Sequence, residues 1–80
     1  MKVKYIKTDQ DEIVVFRHTI EHSEFKRWNP VSAGFIAFGA DGKHEPTVKC
    51  YGESISLKLK SDEDVDSELA RDQILGYGYF

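Results

Sequence analysis

The chain has 80 residues, a formal net charge of −3 and an apolar fraction of 40%. A chain of this length forms one small domain with a thin core and leaves little room for a deep catalytic cavity. Its single cysteine, Cys50, excludes an intramolecular disulfide and a four-cysteine zinc site. No segment has the pattern of a signal peptide or the roughly 20 apolar residues of a membrane span, so we expect a cytoplasmic protein without membrane contact.

Two strands are predicted at the start of the chain. Residues 2–8 alternate between an apolar face and a lysine face, and the charged face suggests an edge strand or a solvent-exposed side. The side chains of residues 12–20 alternate between two faces as far as Ile20, and this pattern predicts a second strand. The Asp-Gln-Asp turn between the two runs indicates a β-hairpin.

The spacing of the apolar residues changes after the second strand, from every second residue to every third or fourth. Phe25 and Trp28 are three residues apart, as on one face of a short helix within residues 21–30. We expect Ser23 to cap this helix and Asn29-Pro30 to end it, because a residue before proline avoids the α region. Residues 31–38 follow, and their apolar character on both faces predicts a central strand.

The Asp41-Gly42 pair in the next loop predicts a second hairpin, with a partner strand over residues 47–60. The second half of that strand alternates, with apolar residues predicted inward and polar residues outward. These are Ile55, Leu57 and Leu59, and Ser54, Ser56, Lys58 and Lys60. The first half has the opposite parity, so either a β-bulge at Tyr51-Gly52 brings both halves to one face or the strand is unbroken.

Residues 61–75 predict the main helix, with Ser61 as its cap, Asp64 three residues on, and acidic first turns that suit the helix dipole. Its apolar positions are Val65, Leu69, Ala70 and Ile74. Gly76 is expected to end it, before an aromatic tail over residues 76–80. The order β-β-α-β-β-α predicts a single α+β domain over residues 1–80. We expect one four-stranded antiparallel sheet with helices on one face and the other face partly open.

His18-x-x-Glu21-His22 matches a pattern in which two histidines, one helical turn apart, bind zinc beside a glutamate base. The match requires a helix over residues 18–22, whereas the alternation through Ile20 places His18 on a strand. At strand rise the two histidines lie about 13 Å apart, too far to share one metal ion.

Two further motifs are weak. Cys50 with His44 and a carboxylate suggests a thiol nucleophile, but a buried, inert cysteine is far commoner. Asp62-x-Asp64-x-Asp66 opens like a calcium loop, but it has serine where glycine is required and glutamine where a bidentate glutamate is required. We therefore predict no metal or cofactor, and a metal- or thiol-dependent hydrolase is the least favoured function.

Surplus aromatic residues are the strongest functional signal. They lie in the short helix and the tail, outside the predicted strands, and are Phe25, Trp28, Tyr77, Tyr79 and Phe80. Exposed apolar patches of this kind mark protein contacts, so we predict a non-catalytic interaction module that forms a homo-oligomer. Alternatively, the tail folds back over the open sheet face.

A second hypothesis uses that open face to bind a small ligand or nucleic acid. Its candidate residues are Lys49, Ser54, Ser56, Lys58 and Lys60. No aromatic motif accompanies these lysines. The last 20 residues carry one arginine and six acids, a balance of −5, so no strong basic excess favours nucleic acid.

Overall fold

The computed structural model describes residues 3–40, 42 and 46–75. In these ranges the chain forms a four-stranded antiparallel sheet in the order β2-β1-β3-β4. The strands are β1 (Val3–Thr8), β2 (Ile13–Arg17), β3 (Pro30–Ala40) and β4 (Pro46–Tyr51). The α+β class and the four-stranded antiparallel sheet predicted from the sequence are confirmed.

The remaining elements change the predicted order. The first helix is a 3-10 helix, and a two-stranded ribbon stands between β4 and the main helix. These elements are the 3-10 helix (His22–Trp28), β5 (Glu53–Ser54), β6 (Leu59–Lys60), α1 (Glu63–Ala70) and a π-helical turn (Arg71–Leu75).

The two helical segments lie on opposite faces of the sheet, because successive residues of a strand point to opposite sides. Tyr5 packs on the face covered by α1, in a cluster with Ile36, Cys50 and Ala70. Ile6 packs on the other face, in a second cluster that includes Phe16, Ala33, Phe25, Leu57 and Leu59. The prediction of helices on one face is therefore wrong, since the 3-10 helix and the ribbon occupy the face expected to be open.

The strand β1 lies inside the sheet, between β2 and β3, so its interpretation as an edge strand is wrong. Its lysines tolerate this position because each has a partner. Lys7 pairs with a buried carboxylate, described below, and Lys4 donates from Nζ to the carbonyl oxygen of Ile20 at 3.0 Å. The strand β2 also ends earlier than predicted, because the amide of Ile20 turns back to the carbonyl of Arg17.

The predicted strand over residues 47–60 is interrupted at Gly52, where φ is +78° and only glycine fits without strain. The chain then forms the short ribbon, whose turn covers residues 55–58. Ile55 is 85% exposed at this turn, and Ser54 is buried. The inward prediction for Ile55 and the outward prediction for Ser54 are wrong, because four consecutive turn residues break the alternation.

The helix α1 faces the sheet with Asp66 and Ala70, which are buried, whereas Val65 and Ile74 are exposed. Its N-cap is Asp62, and the predicted cap residue at position 61 instead donates its amide to the carbonyl of Gly52. The 3-10 helix likewise begins after Glu21 rather than Ser23. It ends as predicted, with Asn29 in the left-handed conformation at φ 55°.

Some predictions lie outside the described residues, namely the cap at Gly76, the tail over residues 76–80, and His44. The loop between β3 and β4 is described only at Gly42, although the pairing of the two strands confirms the second hairpin. No helix in the described ranges combines the length and apolar character needed to cross a membrane.

We predict that Gly34→Ala destabilises the domain while Gly42→Ala does not. A β-carbon at Gly34 would overlap the carbonyl oxygen of Tyr51, which is backbone and cannot rotate away. Overpacking of this kind costs about 1–3 kcal/mol. Nothing lies within 4 Å of a β-carbon at Gly42. Urea denaturation of both variants measures the difference, and equal stabilities would contradict the close approach of β3 to the start of the ribbon.

Candidate functional site

A buried carboxylate joins α1 to the sheet. Asp66 is fully buried, and its Oδ2 accepts hydrogen bonds from the Tyr5 hydroxyl at 2.5 Å and the Ser32 hydroxyl at 2.6 Å. Its Oδ1 lies 2.9 Å from the ammonium of Lys7, which is itself almost fully buried. The amide of Asp62 also donates to Oδ2, at 3.1 Å, so the same carboxylate supports the first turn of the helix.

This environment keeps Asp66 ionised. Burial alone raises the pKa of a carboxyl, but the donors around Asp66 stabilise its charged form and hold its pKa below the ordinary value. The phenol of Tyr5 responds in the opposite direction, because burial and the neighbouring carboxylate raise its pKa. At neutral pH the cluster therefore consists of a carboxylate that accepts and of donors that keep their protons.

Asp66, at the centre of the buried cluster, is closed off from solvent by the residues that the structure describes. Two surface depressions, of about 290 and 230 Å³, are lined by other residues. The first is lined by Gly52, Glu53, Lys60, Ser61 and Glu63, and the second by Asp11, Val65, Glu68, Leu69 and Asp72. A general acid or base must reach the reacting atom within hydrogen-bond distance, and Asp66 reaches only its own helix and sheet. We therefore infer that the cluster stabilises the fold and has no catalytic role.

The histidines of the zinc-like pattern are separated by the fold. His18 lies exposed in the turn after β2, whereas His22 is buried at the start of the 3-10 helix. The Nε2–H of His22 donates to the carbonyl oxygen of Gly34 at 2.8 Å, so this nitrogen has no lone pair for a metal. Within residues 3–40, 42 and 46–75, no three His, Cys, Asp or Glu side chains are grouped closely enough to hold a metal ion.

His22 instead packs as a core ring. Its centroid lies 5.4 Å from that of Phe16 and 5.9 Å from that of Phe35, and both pairs are edge-to-face at 83°. Burial lowers the pKa of His22 below the ordinary value of 6.5, although the bond to Gly34 opposes this shift. A neutral imidazole is therefore the form that the fold stabilises.

Cys50 is fully buried against Tyr5 and Ala70 on the α1 face. Burial raises the pKa of its thiol to about 11, and the nearby carboxylate of Asp66 adds to this shift. A thiol that stays protonated and lacks access to solvent does not serve as a nucleophile. The geometry thus gives no support to thiol chemistry at this residue.

Two of the predicted interaction residues, Phe25 and Trp28, form an aromatic row with Phe16 on the other face. Phe16 of β2 packs on Phe25 with ring centroids 4.3 Å apart, and Phe25 packs edge-to-face on Trp28 at 5.8 Å. We call Phe16, Phe25 and Trp28 the aromatic row. The exposure of the side chains increases along the row. Phe16 is buried, Phe25 is partly buried and Trp28 is 47% exposed. The other predicted contact residues, Tyr77, Tyr79 and Phe80, lie outside the described part of the chain.

The residues of the alternative binding face do not share one strand. Lys49 lies in β4, Lys60 in β6, and Ser56 and Lys58 in the ribbon turn, where Lys58 has a φ of 57°. Ser54 is buried, and its hydroxyl accepts the amide of Leu57 at 3.2 Å and lies 3.3 Å from the hydroxyl of Ser56. The two serines therefore bond within the ribbon.

Sequence reasoning missed the partners of Asp66, although two signals pointed to them. Lys7 has the same strand parity as Val3 and Tyr5, so it lies on an apolar face. Asp66 precedes Ala70 by four residues, so the two share one helix face. An inward lysine and an inward aspartate in one small domain indicate a buried ion pair, because neither is tolerated alone.

Comparison of the chain with protein-family models, with curated proteins and with solved structures gives no match.

We predict that Asp66→Asn destabilises the fold by about 3–5 kcal/mol at neutral pH, because Lys7 is left buried without a counter-charge. The control is Asp64→Asn, since Asp64 is an exposed acid on the same helix. Guanidinium denaturation of both variants measures the difference. A change of less than about 1 kcal/mol for Asp66→Asn, the range of exposed pairs, would contradict a buried charged cluster.

Asp66 also gives the fold an acid-sensitive limit. Its pKa is lower in the folded chain than the ordinary 3.8, so the unfolded chain takes up the proton first. The stabilisation is complete above pH 3.8 and is lost as pH falls through the folded-state value. Unfolding free energies measured between about pH 6 and pH 2 should lose this component in Asp66→Asn. An unchanged acid profile in that variant would assign the sensitivity to other carboxyls.

His22 produces a second pH dependence at higher pH. Because its pKa in the folded chain lies below 6.5, the unfolded chain binds the proton first, and stability decreases as pH falls below 6.5. We predict that His22→Gln removes this slope while His18→Gln, in the exposed turn, retains it. Denaturation midpoints at about pH 7, 6 and 5 test both variants, and loss of the slope in His18→Gln alone would refute the assignment.

Proposed function

We propose that the chain is a non-catalytic protein-interaction module that associates with a second copy of itself, and that Phe25 and Trp28 form part of the contact. The main observation in support is that the indole of Trp28 is half exposed. Tryptophan is the side chain with the largest apolar payload and is enriched where proteins meet. Here it stands on Phe25, which is anchored on Phe16, so a partner meets a rigid ring instead of a mobile one.

The saturation of the polar groups supports a binding role over a catalytic one. The Oδ2 of Asp66 accepts hydrogen bonds from the chain itself and its Oδ1 is paired with the ammonium of Lys7, the thiol of Cys50 is protonated and buried, and the Nε2–H of His22 donates to a carbonyl. A reactive group needs both access and a suitable protonation state. None of these three buried groups combines the two, whereas the aromatic row offers accessible apolar area.

A thin core gives a further reason for association. A domain of this size buries only about 60–65% of the surface of its unfolded chain, so contact with a second copy adds apolar burial that one copy lacks. We propose a reducing, cytoplasmic setting for this module, in which Cys50 remains the free thiol that packs inside the core.

We predict that Trp28→Ser weakens self-association at least about tenfold, because central aromatic residues dominate small interfaces. The matched control is Ile55→Ser, which removes an even more exposed apolar side chain outside the aromatic row. Sedimentation velocity over a range of concentrations measures both. A chain that is monomeric at every concentration would refute self-association. Equal effects of the two substitutions would show that Trp28 is not part of the contact.

The tail is tested in the same measurement. A chain truncated after Gly76 lacks the three tail aromatics and should associate more weakly if they contribute to the contact. Unchanged association of the truncated chain would assign the contact to the described part of the molecule, where Trp28 remains the candidate.

A further inference from the structure

Within the described residues, the strand β2 is the less protected of the two edges of the sheet. Of the two edge strands, β4 begins with Pro46, which has no amide hydrogen, and carries the exposed Lys49. The amide of Cys50 in β4 is also occupied, because it donates to the Ser67 hydroxyl of α1 at 2.7 Å. By contrast, β2 has the sequence Ile-Val-Val-Phe-Arg, without proline or a bulge and with charge only at its last residue. A strand of this kind is open to pairing with another chain.

Two hydrogen bonds define which backbone groups of β2 point away from the sheet. The carbonyl of Glu12 accepts the amide of Thr8 in β1, at 2.9 Å. The amide of Ile13 belongs to the same peptide unit, so it points outward, where it donates to Oε1 of Gln73 at 2.8 Å. Because this direction alternates along an antiparallel strand, the backbone groups of Ile13, Val15 and Arg17 all point outward.

Four of these six outward groups have no partner within the described residues. Gln73 occupies the amide of Ile13, and the amide of Ile20 occupies the carbonyl of Arg17. The Ile13 carbonyl, both groups of Val15 and the Arg17 amide remain for a partner. Val15 is 37% exposed at the centre of this edge.

We propose that a second copy of this chain adds its own β2 to this edge, antiparallel, with Val15 facing the partner's Val15 across a two-fold axis. In this register each Val15 amide donates to the partner's Val15 carbonyl, and each Arg17 amide donates to the partner's Ile13 carbonyl. All four unpartnered groups on each copy are thereby satisfied, two as donors and two as acceptors. The two sheets become one sheet of eight strands.

This register also brings two occupied groups together. The amide of Ile13 faces the carbonyl of the partner's Arg17, and each of these groups already has a partner inside its own copy. The pairing therefore requires the flexible Gln73 side chain to release the amide of Ile13, which then donates to the partner's Arg17 carbonyl. A shift by two residues places an occupied group opposite an unpartnered one, and a shift by one residue turns apolar side chains to the wrong face.

Charge supports a second copy as the occupant. One end of β2 is acidic, because Asp11 and Asp72 lie exposed beside the Gln73 side chain, which bonds to the backbone of both Asp11 and Ile13. The other end carries the exposed Arg17. Antiparallel pairing about a two-fold axis brings the acidic end of each copy to the arginine end of the other. A parallel arrangement would place like charges together.

This inference rests on the proposed self-association and adds a place and a register to it. The aromatic row begins on the same strand, because Phe16 lies between Val15 and Arg17 and points to the opposite face. A copy paired with β2 therefore lies alongside the strand that anchors the row. The interface between the two copies would then combine backbone hydrogen bonds along β2 with apolar contacts at the aromatic row.

Cysteine cross-linking tests the register directly. In the proposed pairing the two Val15 Cα atoms lie about 5.5 Å apart, which suits a disulfide. We expect Val15→Cys to form a covalent dimer under mild oxidation, whereas Lys49→Cys on the exposed β4 edge forms none at the same concentration. Cys50 can stay in place, because it is buried and its thiol has a pKa of about 11. No dimer from Val15→Cys, or equal yields from both variants, would overturn the proposal.

Val15→Pro tests the ladder itself. The amide of Val15 points outward, so proline removes no bond to β1 but removes two of the bonds between copies. We expect the monomer to keep its far-UV circular dichroism and the affinity between copies to fall at least about tenfold. If wild type associates and Trp28→Ser weakens that association while both Val15 variants leave it unchanged, only the proposed edge pairing fails. If wild type does not associate, the proposed function itself fails.

Discussion

The carboxylate of Asp66 determines how the C-terminal helix sits on the sheet. By apolar content alone, α1 would bury Val65 with Leu69, yet it is rotated so that Asp66 and Ala70 face inward. A buried aspartate is tolerated only with a counter-charge and donors, and these come from Lys7, Tyr5 and Ser32. Since β1 and β3 both contribute, only one rotation of the helix satisfies the acid. The polar cluster thus gives an orientation that a thin apolar core specifies weakly.

The same logic recurs at smaller scale elsewhere in the domain. His22 anchors the 3-10 helix through the carbonyl of Gly34, and Gln73 joins the end of the helical segment to the start of β2 through two backbone bonds. Each anchor is a buried or partly buried polar group with a defined direction. Directional bonds of this kind fix where an element lies, whereas apolar contacts chiefly favour that it packs at all.

Much of the sheet could be predicted from the sequence because its signals are local. The alternation in β2, the apolar run in β3 and the stop at Asn29-Pro30 depend on neighbouring residues only. The ribbon could not be predicted, because Ile55, Leu57 and Leu59 alternate as in a strand although four turn residues lie among them. The interior position of β1 could not be predicted for a different reason. Its lysines read as exposed until Asp66 and the Ile20 carbonyl are known to be their partners.

The candidate site divides in the same way. Trp28 could be singled out because a surplus of aromatics is visible in composition, whereas the edge of β2 depends on strand order and on which of its backbone groups are bonded to Gln73 and Ile20. The strand order and these backbone contacts are long-range features without a local signal in the sequence. The aromatic row was therefore partly foreseeable, and the backbone ladder beside it was not.

The bond between Tyr5 and Asp66 also has a consequence for biosynthesis, because it spans 61 positions of the chain. The strand that carries Tyr5 and Lys7 leaves the ribosome before the helix that carries their acceptor. Until then Lys7 keeps its water, and β1 has little reason to enter the interior of a sheet. Folding should therefore wait until α1 has emerged, without a stable nascent hairpin.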